Sequence, residues 1–125
     1  MEPGETILGF DFGNHLWVVL SKEDANGDVV LANLTTHGRL AICGTECVVL
    51  TSQDHSYVTR ESCVYYRGAV LNPVRPLQEQ KDAGTLRQHD RCSPALLRQI
   101  QEGALQSRFT PPAMKAAIRA SLPQA

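Results

Sequence analysis

Thr6-Ile7-Leu8-Gly9-Phe10-Asp11-Phe12, then Gly13-Asn14, then His15-Leu16-Trp17-Val18-Val19-Leu20-Ser21, and beyond a polar loop Asp28-Val29-Val30-Leu31-Ala32-Asn33-Leu34: this stretch decides the fold. Each apolar run is strand-length, and the second is rich in aromatic and β-branched residues, which suit a pleated, half-buried surface. Gly13-Asn14 is a tight-turn pair, and Asn26-Gly27 in the second connection tolerates positive φ. Three strands with short connections predict an antiparallel meander. The first run is apolar on both faces, as in a strand enclosed by a small, strongly bent barrel.

Working outward, Glu46-Cys47-Val48-Val49-Leu50-Thr51 predicts a fourth strand, after a loop with one short pairing over 35–45. Ser52-Gln53-Asp54-His55 predicts a turn. Ser62-Cys63-Val64-Tyr65-Tyr66-Arg67-Gly68-Ala69-Val70-Leu71 predicts a fifth strand, bulged at Gly68, and Pro73 and Pro76 end the ladder. Residues 73–92 are expected to be a polar loop, its 78–91 part mobile. Ser93-Pro94 and Thr110-Pro111 are helix-opening pairs, with apolar faces Leu96, Leu97, Ile100 and Met114, Ala117, Ile118, Leu122 behind them. The expectation is one domain over 1–125, mainly β with C-terminal helices (α+β): a barrel over about 4–72 and two short helices over about 93–122.

The chain has 125 residues, 42% hydrophobic and 20% charged, which is ordinary globular composition. No apolar run approaches the ~20 residues of a membrane span, so no membrane is expected among its partners. Met1-Glu2-Pro3-Gly4-Glu5 is acidic and lacks the basic-then-apolar order of a secretory leader, so a cytoplasmic location is expected. In a reducing cytosol Cys43, Cys47, Cys63 and Cys92 are read as free thiols, and their spacing fits no zinc motif. No cofactor or metal is expected. Residues 1–60 hold eight acids against three bases, residues 61–125 five against nine, yet the net charge is −1. The basic half is scattered: a solvated surface is the plainer reading, a polyanion footprint the sharper one.

The segment order resembles the MazF/PemK toxin family, whose fold is an SH3-like barrel with added helices. Gly4-Glu5-Thr6-Ile7-Leu8-Gly9-Phe10-Asp11-Phe12 resembles its opening strand, and the run from His15 to Ser21 its second. Asn33-Leu34-Thr35-Thr36 stands where the family has a polar Thr-Thr, and Ser62-Cys63-Val64-Tyr65-Tyr66-Arg67 resembles a later strand of Ser and aromatics. The resemblance covers roughly 4–71 and a similar helical ending. It implies a homodimeric toxin, neutralised by an antitoxin protein, that cleaves single-stranded RNA without a metal. Thr35 matches the family's threonine. His15 stands where many members carry arginine, Leu16 replaces the following proline, and the long first loop is shortened to Gly13-Asn14.

RNA cleavage needs a base for the 2′-hydroxyl, an acid for the leaving oxygen, and a donor for the phosphoryl charge. The nuclease reading assigns His15 and His55 as the acid/base pair, with Thr35 and Arg60 steadying the phosphate. Asn33, Thr36, Tyr57, Ser62 and Arg67 are the substrate-binding candidates: Asn33 and Thr36 for phosphate or base edges, Tyr57 for stacking, Arg67 for a bidentate phosphate contact. Each also has a plainer reading. His15 can be a strand-end residue, Asp54-His55 only a turn, the threonines backbone partners, and the arginines solvated. Trp17 is read as core. The alternative function is a non-catalytic protein- or nucleic-acid-binding module on the same barrel; a structural subunit of a larger complex is the third.

Overall fold

A computed structural model describes residues 1–11, 15–36 and 48–123. The strands are β1 (Thr6–Leu8), β2 (Trp17–Val19), β3 (Asp28–Thr36), β4 (Val49–Leu50), β5 (Ser62–Pro73) and β6 (Arg87–His89). The helices are α1 (Val74–Asp82), α2 (Pro94–Gln106) and α3 (Pro112–Ser121). All strand pairs are antiparallel, in the order β4-β5-β3-β2-β1-β6. The sheet curls into a half-barrel, so the α+β architecture with C-terminal helices is as the sequence implies.

The alternation along β2 and β3 divides the interior in two. Val18, Val30, Ala32 and Leu34 face a core closed by Leu96, Ile100 and Ala104 of α2 and Ile118 of α3. Trp17, Val19, Val29 and Leu31 face the other way, onto Leu77 of α1 and Leu86. Helix α2 starts where Ser93-Pro94 predicts: the Ser93 hydroxyl accepts from the Leu96 N–H at 3.1 Å, a cap that stabilises by about 1 kcal/mol. Gln101 Nε2 donates to the Leu20 carbonyl (2.9 Å) and Tyr66 Oη to the Ile100 carbonyl (2.8 Å), so α2 is pinned to the sheet through buried polar groups.

Three expectations are corrected. The polar loop over 73–92 is instead α1 followed by β6, which adds a third helix and a sixth strand. Pro76 sits in the first turn of α1, where a missing N–H costs little, and only Val74 and Leu77 carry apolar contact. Strand β6 has no apolar alternation and exists because β1 offers it an edge: Thr6 opposite His89, Ile7 opposite Gln88, Leu8 opposite Arg87. The third correction concerns the thiols. Cys63 is fully buried and disulfide-bonded, its partner lying outside the described residues. An expected compartment says nothing about which cysteines the fold brings together, and that is why the pairing was not anticipated. Cys92 is free, and burial pushes its thiol up to about 11, which keeps it protonated. The Gly13-Asn14 turn, Cys43, Cys47 and most of the 35–45 loop lie outside the described residues; β4 is seen only as Val49–Leu50.

Gly9 couples β1 to the segment leading into β6. Its φ is +92°, and a Cβ there would stand 2.6 Å from the Thr85 carbonyl oxygen. Backbone cannot retreat as a side-chain tip can. Gly9→Ala is therefore expected to destabilise the fold by about 1–3 kcal/mol, read as a lowered urea midpoint with unchanged slope.

Candidate functional site

Helix α1 covers only one end of the second sheet face. The other end is open, and there Asp11, His15, Trp17, Asn33, Thr35, Tyr65 and Gly68 line a cleft of about 380 Å³. Register explains the gathering. Trp17 pairs with Asn33 and Asn33 with Tyr65, so one row crosses three strands on one face. The ladder continues past β2 through the Leu34 N–H to the Leu16 carbonyl (3.0 Å), which sets His15 across from Thr35. Side chains so placed have Cβ atoms about 5 Å apart.

Tyr65 reaches the cleft because β5 is bulged. Leu31 pairs with Val70 but Asn33 with Tyr65, so β5 loops out over 66–69 against a single step of β3. The expected bulge at Gly68 lies within it. A Cβ on Gly68 would stand 2.6 Å from the Tyr65 ring, so the glycine leaves the room that this aromatic occupies.

His15 is held from one side. Its Nδ1 lies 2.8 Å from Asp11 Oδ2, and its backbone N–H donates to Asp11 Oδ1 at 3.2 Å. Burial alone would raise the Asp11 carboxyl, but hydrogen bonds from the His15 ring and from the His15 backbone bring it below the ordinary carboxylate range. An ionised Asp11 only accepts, so Nδ1 carries the proton of this hydrogen bond and Nε2 is the nitrogen left for another partner. The Trp17 indole nitrogen is buried and has no hydrogen-bond partner among the described residues. Asp11 escaped the sequence reading. Its only signal was the four-residue spacing to His15.

Because folding depresses the Asp11 pKa, the stabilisation is complete above the unfolded value of about 3.9. It is lost as pH falls through the lower folded value. The urea midpoint of the wild type should exceed that of Asp11→Asn at pH 6, and the two should converge as pH drops below about 4.

The remaining predicted residues lie elsewhere. His55 is buried beneath a separate polar depression lined by Ser52, Gln53, Asp54, Ser56, Asp90, Arg91 and Ser93. Its Nδ1 accepts from the Tyr57 N–H (3.1 Å) and its Nε2 donates to the Asp90 carbonyl (2.6 Å), so both nitrogens are committed to holding the 51–58 turn against β6. Asp54 does not orient that ring: its Oδ2 accepts from the Thr51 N–H at 2.7 Å and closes the turn. Ser56 hydrogen-bonds Asp90, and that contact, helped by His89 and His55, lowers the Asp90 carboxyl. Tyr57 packs edge-on to His89, 5.6 Å between centroids. Arg60 is exposed, its carbonyl accepting from Ser62 Oγ; Thr36 is exposed opposite Ser62. Arg67 stacks on Phe109. The structure thus brings together His15, Asn33 and Thr35, adds Asp11 and Tyr65, and separates His55, Arg60, Tyr57, Thr36 and Ser62 from them.

Among the described residues no cluster of His, Cys, Asp or Glu is placed to hold a metal ion, and no helix is long and apolar enough to cross a membrane. The fold and cleft define a half-barrel α+β protein with an Asp–His pair beside a strand-end hydroxyl. Compared with models of protein families, with curated proteins and with solved structures, the chain matches none.

Proposed function

We propose that this chain is a toxin-type endoribonuclease that cleaves single-stranded RNA, without a metal, in the cleft between β2, β3 and β5. The observation that carries the reading is the Asp11–His15 hydrogen bond, in one cleft with Thr35 and Asn33. An imidazole oriented through Nδ1 leaves Nε2 to exchange a proton with a substrate hydroxyl. His15 takes the proton of a ribose 2′-hydroxyl, and that oxygen attacks the adjacent phosphorus. The bond from phosphorus to the 5′-oxygen breaks, and the imidazolium returns the proton to the leaving oxygen. The Thr35 hydroxyl and the Asn33 amide donate to the non-bridging oxygens as charge builds. The products are a 2′,3′-cyclic phosphate and a 5′-hydroxyl.

This assignment keeps His15 and Thr35 from the sequence reading and gives the orienting role to Asp11. His55 becomes a structural residue and Arg60 carries no step. The antitoxin partner and the homodimer belong to the same proposal and rest on the toxin-family resemblance over 4–71. A cytoplasmic location belongs to the same proposal, and the Cys63 disulfide, rare in a reducing cytosol, counts against it.

A second reading is a non-catalytic binding module. Favouring it, the described lining of the cleft contains no lysine or arginine to balance phosphoryl charge. One experiment separates the two: end-labelled single-stranded RNAs of varied sequence, incubated with the purified chain and excess chelator. Fragments ending in cyclic phosphate support the nuclease. Intact RNA, together with harmless overexpression, leaves the binding module.

A further inference from the structure

Resting on that reading, we infer that the Trp17–Asn33–Tyr65 row of the cleft is a nucleobase slot, in which a base stacks on Tyr65 and donates a hydrogen bond to Asn33 Oδ1. All three side chains line the cleft, and the register sets them side by side across β2, β3 and β5. Neighbouring strands lie about 5 Å apart, so the amide stands between the two aromatic residues. The row carries no charge. Two aromatic side chains and one amide suit a flat, uncharged ring with polar edges, not a phosphate.

Asn33 is only 6% exposed. Its Nδ2 donates to the Leu34 carbonyl at 3.3 Å, and because a carbonyl only accepts, the orientation of the amide is fixed. One Nδ2 hydrogen remains for the phosphate, and Oδ1 remains as an acceptor. That oxygen lies toward β5: a Cβ on Gly68 would stand 3.6 Å from it and 2.6 Å from the Tyr65 ring. Glycine at 68 therefore keeps both the aromatic surface and the acceptor in place. An oxygen so enclosed meets little water, so a donor carried in by a ligand strengthens there. The edges of unpaired RNA bases supply such donors. His15 and Thr35 form the next row on the same face, two residues along the strands and about 7 Å away. That is the reach from a base across its own ribose to the adjoining phosphodiester. A nucleotide stacked on Tyr65 thus brings its 2′-hydroxyl and phosphate to the row that carries the chemistry.

Trp17 is the chain's single tryptophan and lines this row, so its fluorescence reports what enters the slot. The test titrates the full chain with the four ribonucleoside 3′-monophosphates, and with ribose 5-phosphate, which has sugar and phosphate but no base. Nucleotides are expected to change the Trp17 emission saturably, and ribose 5-phosphate to leave it unchanged. Tyr65→Leu should weaken nucleotide binding about tenfold, whereas Tyr65→Phe, which keeps the ring, should bind as the wild type does. Gly68→Ala, whose methyl displaces the Tyr65 ring, should weaken binding without altering any group that meets the base. Circular dichroism melts check that each variant is folded. A wild-type chain that responds to no nucleotide, or equally to ribose 5-phosphate, would overturn the slot, as would wild-type affinity in Tyr65→Leu. The RNA cleavage assay reads the other claim separately. RNA cut by a chain without nucleotide binding would remove the slot and spare the nuclease; nucleotide binding with RNA left intact would spare the slot and remove the nuclease.

Discussion

If the chain is the nuclease proposed above, replacing His15 by alanine is expected to reduce RNA cleavage by about 10²–10⁴-fold, the range a positioned acid/base group supplies, with binding of uncleavable RNA little changed. His15 is partly exposed, with its ring held by one carboxylate. Its removal therefore opens no core cavity, and the loss falls on kcat rather than on stability. Asp11→Asn should cost less. An amide can turn its oxygen toward Nδ1–H and keep the ring in place, but it cannot stabilise the imidazolium that forms during proton transfer. Thr35→Val should act on the same step, because a methyl replaces the hydroxyl that the proposed mechanism uses as a phosphate donor. Single-turnover rates on one labelled RNA, with fold checked by thermal melting, separate these effects. Equal rates for His15→Ala and wild type would end the case for chemistry at this cleft.

Ile100→Ala is expected to have the largest effect on stability, about 2–5 kcal/mol. Ile100 is fully buried where α2 lies on the sheet, among Leu96, Ala104, Ile118 and the face carrying Val30 and Ala32. Truncation leaves a cavity bordered by three elements whose backbones are fixed by hydrogen bonds, so collapse around it is restricted. The Ile100 carbonyl also accepts from Tyr66 Oη, and any shift of α2 strains that buried bond. A domain of this size has about 5–15 kcal/mol in all, so the variant should melt about 10 °C or more below the wild type. Leu71→Ala is the control. Leu71 is 37% exposed near the end of β5, and its loss should cost less than about 1 kcal/mol. Comparable losses at the two positions would contradict the packing described for α2.

The elements legible in the sequence were those with a strong local signal. Strand-length apolar runs rich in aromatic and β-branched residues, as in Trp17-Val18-Val19 and Val29-Val30-Leu31, mark a meander through local pattern alone. Ser93-Pro94 announces α2 because capping and fixed φ act within one turn. Residues 74–89 were not legible for the opposite reason. Val74-Arg75-Pro76-Leu77-Gln78-Glu79-Gln80-Lys81-Asp82 has two apolar contacts and a proline, and Arg87-Gln88-His89 has none to alternate. Both are organised by something outside themselves, the second core and the free edge of β1.

The site divides along the same line. His15, Asn33 and Thr35 could be picked out because each ends or interrupts an apolar run with a polar group. Asp11 could not, since nothing local says which way a carboxylate before a turn will face. The pairing of His15 with His55 failed because two histidines forty residues apart share no register. His55 spends both nitrogens on backbone, a fact that depends on Tyr57 and Asp90 arriving beside it.

The amino-acid order alone determined the strands of the meander and the start of α2, since steric preference, periodicity and capping act over a few residues. Only the tertiary structure decided what those segments hold between them. The register of β2, β3 and β5 aligned one histidine with one threonine, the bulge of β5 turned Tyr65 inward, and partial cover by α1 left that end of the sheet open. Each follows from contacts between residues distant in the chain, where local propensity has no influence.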